Sequence, residues 1–188
     1  MTPVLRTLNV SKRYGSKLSL DDVSLEVPQG SIFGLVGPNG AGKTTTIKIL
    51  MNLLQPTSGR AEVLGQDSRR LGPSEFANIG YVSENQEMPD WMTVDQFLRY
   101  LRPFYPRWDV NLENSLMTDF NLPRDRKLKH LSRGMWMKTA LASSLAYRPQ
   151  LLILDEPFGV VQKFVRTVLH RLVSRRQPVT CRIHRILN

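Results

Sequence analysis

Cysteine is nearly absent. Cys181 is the only one in 188 residues, which excludes an intramolecular disulfide and suits a reducing compartment. Long apolar runs are missing as well. No stretch approaches the ~18 consecutive apolar residues that cross a bilayer, and Met1-Thr2-Pro3 opens no secretory signal, so a cytoplasmic location is expected. Acidic side chains are few and unevenly placed. The chain carries 26 Lys and Arg against 16 Asp and Glu, a net charge of +10, and no acidic side chain follows Glu156. Residues 159–188 hold seven of the cations: Lys163, Arg166, Arg171, Arg175, Arg176, Arg182 and Arg185. Removing those seven leaves +3 on the first 158 residues, an ordinary balance. The basicity therefore belongs to the tail. A basic tail could bind phosphate backbones or anionic lipid; it could equally be out of keeping with its own domain. Repeats and low-complexity tracts are absent. With 41% hydrophobic and 22% charged residues, the composition suits one well-buried α/β domain, with room for a smaller subdomain.

What is present is a phosphate-binding loop. Gly37-Pro38-Asn39-Gly40-Ala41-Gly42-Lys43-Thr44 satisfies G-x-x-x-x-G-K-[ST]. The apolar run Ser31–Val36 reads as a buried strand entering it. Thr44 to Leu54, with Ile47, Ile49, Leu50, Leu53 and Leu54, reads as a helix leaving it. Glycines let backbone N–H groups turn inward, and a helix N-terminus adds its dipole to a polyanion site. Lys43 would reach the β- and γ-phosphates, and the Thr44 hydroxyl would ligate magnesium. A second site element is Leu151-Leu152-Ile153-Leu154-Asp155-Glu156-Pro157, four apolar residues delivering two carboxylates to a strand end. Asp155 would hold magnesium, generally through water, and Glu156 would polarise an attacking water. Taken alone, this run is a strand with solvated acids at its tip; the upstream loop gives it meaning.

The remaining elements follow from periodicity. Leu5 to Val10 and Leu18 to Val27 alternate as two antiparallel strands, with the turn across Lys12–Lys17. Pro56-Thr57-Ser58-Gly59 breaks the chain before a returning strand at Arg60–Leu64, and Ile79–Val82 is a further strand. Residues 86–130 change character, with helical segments near 93–102 and 110–120, and Gly134 to Tyr147 reads as a helix.

Just before that helix stands Leu131-Ser132-Arg133-Gly134-Met135. Here the chain resembles the ATP-binding subunits of ABC transporters, whose signature runs Leu-Ser-Gly-Gly-Gln. The resemblance spans about residues 4 to 158 and rests on five features in order: Tyr14, residues 37–45 including Thr45, Ile79-Gly80-Tyr81-Val82-Ser83-Glu84, the signature, and Asp155-Glu156. It is similar above all to the subfamily serving separately encoded membrane exporters, in which Leu-Ser-x-Gly-Met and a Glu at position 84 are familiar. The resemblance implies an α/β P-loop NTPase core with an N-terminal antiparallel β-subdomain and a helical subdomain at about 86–147. It implies ATP and Mg2+ as cofactors, Tyr14 stacking on adenine, and Glu84 where the family presents a glutamine to magnesium and water. Ser132 and the Gly134 N–H would grip the γ-phosphate held by a second ATP-binding subunit, in a homodimer or heterodimer. A membrane-spanning permease would be the further partner, docking around Glu84 to Tyr105, with the chain peripheral on the cytoplasmic face. Without its flanking motifs, Ser132 would read as an ordinary helix cap, and Tyr14 as a surface tyrosine.

The resemblance stops after Pro157. Where the family continues Ser-Gly-Leu-Asp-Pro, this chain reads Phe158-Gly159-Val160-Val161-Gln162. His184 lies 28 residues past Glu156, short of the family's γ-phosphate histidine, and also reads as a solvated tail residue. Residues 1–158 are thus expected to form the ATP-binding domain, its C-terminal part incomplete, and residues 159–188 a degenerate basic segment from a truncated or shifted reading frame. Three functions remain: an ATPase subunit powering a transporter, a non-hydrolysing ATP-binding regulator or degenerate subunit, and a nucleic-acid-associated ATPase. The third lacks the long coiled-coil insertion or tandem domains it usually has, so nucleic acid is not an expected partner.

Overall fold

Residues 3–83 and 86–155 are described by the computed structural model. They fall into two units, one containing residues 3–76 and the other 77–83 and 86–155.

In the first unit, the alternating residues form β1 (Pro3–Tyr14) and β2 (Lys17–Pro28), an antiparallel hairpin. The turn is tighter than the pattern predicts. It occupies Gly15 and Ser16, with Gly15 at φ 55°, because a two-residue turn in this backbone region matches the twist of its strands. Next come α1 (Lys43–Leu50), β3 (Ser58–Val63), the two-residue β4 (Gln66–Asp67) and the single turn α2 (Pro73–Phe76). The sheet order is β2-β1-β3-β4. Leu5, Val10, Val27 and Val63 are wholly enclosed. They form an apolar face on which Ile47, Ile49 and Leu50 of α1 are buried through contacts with β2 and β3. Each such aliphatic side chain contributes about 1.5–3 kcal/mol.

The run Ser31–Val36 departs from expectation. It forms no strand ladder among the described residues, and Ile32 and Val36 are each 58% exposed. Apolar content favours a strand only where a neighbour supplies hydrogen bonds and covers the side chains. Neither sheet of the described residues provides that neighbour here.

The second unit contains β5 (Ile79–Ser83), α3 (Val94–Leu101), α4 (Val110–Asp119), α5 (Arg133–Leu145) and β6 (Leu151–Asp155). β5 and β6 pair in parallel, from Ile79 opposite Leu151 to Ser83 opposite Asp155. Parallel pairing needs a long crossover, and the three helices lie within it. Every residue of β6 is buried, as a nearly continuous apolar run in a parallel sheet requires. Phe97, Leu98, Leu116, Phe120, Leu141 and Leu152 share one core. The helical segments expected near 93–102, 110–120 and 134–147 are α3, α4 and α5. None of the described helices is long and apolar enough to cross a membrane.

A buried charge holds the helices together. Glu113 is wholly enclosed and accepts hydrogen bonds from Arg102 Nε (3.0 Å) and Nη2 (2.9 Å), from Trp108 Nε1 (2.9 Å) and, more distantly, from Arg124 Nη1 (3.4 Å). Arg124 also bonds Asp95 at 3.0 Å. Backbone hydrogen bonds join residues 90–95 to 124–129: Val94 N to Arg126 O, Asp95 N to Arg124 O, Leu128 N to Met92 O, and Lys129 N to Asp90 O.

Candidate functional site

In the first unit, the phosphate-loop residues form a turn that ends as the start of a helix. Ala41 N donates to Pro38 O at 3.2 Å, and Gly42 caps α1 at φ 82° with no side chain serving its N–H groups. Those first N–H groups have no partner within the helix. With the dipole behind them, they form a cradle for an anion. Glycine is obligatory at position 42: a Cβ there would lie 2.2 Å from Leu20 Cδ2 and 2.7 Å from Ser19 O. Lys43 folds back on the loop, donating to Gly37 O and, at 2.7 Å, to Pro38 O. An ammonium held only by carbonyls is ready to be recruited by a stronger acceptor such as phosphate. Pro38, Asn39, Gly40 and Ala41 are exposed; Gly37, Lys43, Thr44 and Thr45 are half-buried. Thr45 Oγ1 lies 3.1 Å from Ser19 Oγ, fixing the first turn of α1 to β2. Tyr14, at the end of β1, is 49% exposed, with the Lys12 ammonium 5.2 Å from its ring centre. An open aromatic face of this kind can stack on a base.

In the second unit, β6 carries Asp155 to the carboxyl end of the β5/β6 ladder, where it is only 8% exposed. Burial, aided by the nearby Asp155 charge and opposed by a hydrogen bond with Ser83, pushes the Tyr81 hydroxyl above its ordinary pKa. After β5 the chain turns back, Gln86 N donating to Ser83 O at 3.2 Å. The Gln86 side-chain oxygen is buried and has no hydrogen-bond partner. A nearly buried carboxylate at a strand end suits a hard, oxygen-seeking divalent cation such as magnesium. Signature Ser132 caps α5, its Oγ accepting from Met135 N at 3.3 Å. Ser132 and Arg133 are exposed, and Leu131, Gly134 and Met135 half-buried. α5 is anchored to β5 by Ser144, which donates to Tyr81 O at 3.2 Å, and just past the helix Tyr147 donates to Ile79 O at 2.8 Å.

The family model described as "ABC transporter" matches residues 20–159. The chain belongs to the ABC transporter family. It is 36% identical over 176 residues to the zinc import ATP-binding protein ZnuC of Rickettsia bellii, a match covering 92% of this chain and 70% of that one. It is 36% identical over 157 residues to the ABC transporter ATP-binding protein YtrB of Bacillus subtilis, covering 84% of this chain and 53% of YtrB. The chain thus matches only part of each relative's length. A bacterial ABC transporter cassette solved as a dimer shares the fold, with TM-score 0.79 at 22% identity over 96% of this chain and 88% of that one.

Of the residues assigned to the site of this ABC chain, the loop, Thr45 and Tyr14 lie in the first unit, and Asp155 and the signature in the second. Glu84 and Glu156 lie outside the described residues, as do His184 and the whole basic segment 159–188. Sequence reasoning singled out neither Glu113 nor Gln86, which lies two positions beyond Glu84. No local pattern marks either one, because what distinguishes them is burial in the folded chain.

Proposed function

We propose that this chain is the ATP-binding subunit of an ABC transporter, which binds MgATP on residues 37–45 and hydrolyses it to drive a separate membrane permease. The observation carrying this reading is the cradle at the start of α1: an N-terminus with no side-chain cap, a glycine that packing obliges, and the Lys43 ammonium held against the loop. Tyr14 would stack on the adenine. Magnesium, when bound, would neutralise developing phosphate charge; its proposed ligands are the Thr44 hydroxyl and, through water, Asp155. Glu156 would polarise the attacking water, with Glu84 assisting from the segment after β5. Leu131 to Met135 would meet the ATP of a second subunit, Ser132 Oγ and Gly134 N–H turning to its γ-phosphate as ATP closes a homodimer or heterodimer. Arg133 supports this role, being an exposed cation beside the cap. Trp91, Tyr100 and Phe104, 64%, 52% and 61% exposed, offer the aromatic surface for the permease. In that role the subunit works at the cytoplasmic face of a membrane.

Calorimetric titration of the full chain with MgATP tests the binding half. Wild type should bind and Lys43→Ala should lose affinity at least tenfold; equal affinities would reject the cradle. A second reading, a non-hydrolysing ATP-responsive regulator or degenerate subunit, is favoured by Phe158-Gly159-Val160-Val161-Gln162 standing where the family has its interface loop. Placing water, metal and γ-phosphate supplies nearly all the catalysis of phosphoryl transfer, so loss of one positioning group costs orders of magnitude. Phosphate release decides between them: turnover abolished by Glu156→Gln supports the ATPase, and nucleotide binding with no release supports the regulator.

A further inference from the structure

A lysine on a strand surface ordinarily extends its strongly hydrated ammonium into water. Lys12 does otherwise. It lies on β1 two residues before Tyr14, and its Nζ donates to Gln55 O at 2.7 Å while standing 5.2 Å from the Tyr14 ring centre. No carboxylate among the described residues pairs with it. The acceptor is placed to matter. Gln55 follows α1, and the chain between them is tied to that helix by Leu53 N and Leu54 N, which donate to Lys48 O at 2.8 and 3.2 Å. Two further bonds join the same stretches, Thr57 N to Ser11 O at 2.8 Å and Arg13 N to Thr57 Oγ1 at 3.0 Å. The end of β1 that carries Tyr14 is thus fastened to the segment leaving the phosphate-loop helix. Tyr14 is the last residue of β1 and 49% exposed. An open ring of this kind loses rotational freedom when it stacks against a base, and that loss opposes binding. A cation held against the ring by a backbone carbonyl removes part of that freedom before the base arrives.

We infer that Lys12 is a positioning residue for the nucleotide base: its ammonium, anchored on Gln55 O, holds one side of the Tyr14 ring and leaves the other to stack. The inference rests on the adenine-stacking role proposed above for Tyr14, and it adds a residue to which that proposal gave no part. The attraction is between a cation and the negative face of the ring. It acts through the ring and not on phosphate, so a nucleotide feels it and a phosphate chain without a base does not.

Calorimetric titration of the full chain compares MgATP with magnesium tripolyphosphate, at physiological ionic strength so that attraction between charges beyond about 8 Å is screened. The variants are Lys12→Met, which keeps the stem and removes the charge, Lys12→Arg, Tyr14→Leu, and the double variant combining Lys12→Met with Tyr14→Leu. Lys12→Met is expected to weaken ATP binding about two- to fivefold, the size of an exposed cation–π contact. Its tripolyphosphate affinity should be unchanged. Lys12→Arg, which keeps the cation, should bind ATP as wild type does. In the Tyr14→Leu background, Lys12→Met should have no further effect, because the two residues act as one unit. Unchanged ATP affinity in Lys12→Met, beside a weakened Tyr14→Leu, overturns the inference and leaves the stacking role intact. An equal loss in the Tyr14→Leu background, or toward tripolyphosphate, also overturns it, by showing that Lys12 acts independently of the ring. Tyr14→Leu that binds ATP as tightly as wild type overturns the stacking role and the inference together.

Discussion

At the scale of single residues, the strongest commitments are a glycine and a buried carboxylate. Gly42 has φ 82° and no room for a Cβ beside Leu20. Gly42→Ala should destabilise the chain by at least about 1–3 kcal/mol from backbone strain, and nucleotide binding should fall with it. Chemical denaturation beside calorimetry will show whether the two losses coincide. Glu113 is wholly enclosed, with two arginines and an indole donating to it. Glu113→Ala leaves the Trp108 indole and the partly exposed Arg102 without their buried acceptor, while Arg124 keeps Asp95, and should cost about 1–3 kcal/mol in urea unfolding. A loss under about 1 kcal/mol would mean that the helices hold without it. Asp67 shows a charge effect at the surface. The Arg69 guanidinium holds its carboxyl down at about 2, against an ordinary value near 4. Its stabilisation is fully present above about pH 4 and is lost as pH falls through about 2. Asp67→Asn should therefore cost no more than about 1 kcal/mol at neutral pH, because the pair is surface-exposed. The gap to wild type should close between about pH 4 and pH 2 in an acid-unfolding series.

At the scale of elements, helix starts matter most. Thr93 and Gln96 form a reciprocal capping box on α3, with Thr93 N donating to Gln96 Oε1 at 2.9 Å and Gln96 N to Thr93 Oγ1 at 3.2 Å. The spacing Thr-x-x-Gln was available in the sequence, and it fixes the start of α3 next to exposed Trp91. Ser132 also caps a helix, its Oγ accepting from Met135 N with no reciprocal bond, so this structural role and the proposed contact with a partner's ATP can be separated by substitution. Ser132→Asp keeps an N-cap acceptor and adds a favourable charge at the start of α5, while setting an anion against any phosphate. Melting temperature should hold within a few degrees, whereas ATP-driven dimerisation, followed by light scattering, should disappear. Retained dimerisation would leave the serine as a cap and nothing more. The backbone bonds between residues 90–95 and 124–129 join the capped start of α3 to the segment leading into Leu131 and Ser132. No sequence pattern announces them, since they pair two loops about thirty residues apart.

At the scale of the whole molecule, nucleotide should act as a folding ligand. A ligand that binds only the native chain adds about 2.7 kcal/mol at one hundred times its dissociation constant. MgATP should raise the melting temperature of wild type and leave Lys43→Ala unmoved; a shift of equal size in both would place the nucleotide elsewhere. The net charge of +10 is concentrated beyond residue 158, so it says little about the described units, which carry a nearly ordinary charge balance.

The phosphate loop, the acid-tipped strand and the signature were legible in the linear chain because their chemistry depends on spacing within a few residues: a glycine before a lysine, carboxylates after four aliphatics, a serine before a helix. Family membership follows from those same strings. Burial was decided only by tertiary structure, because it depends on distant neighbours. The apolar run at 31–36 reads as a buried strand, yet Ile32 and Val36 are exposed where no described strand covers them. Nothing in the local sequence announces Glu113 as buried, yet it is wholly enclosed, since a side chain's hydration is set by what folds over it.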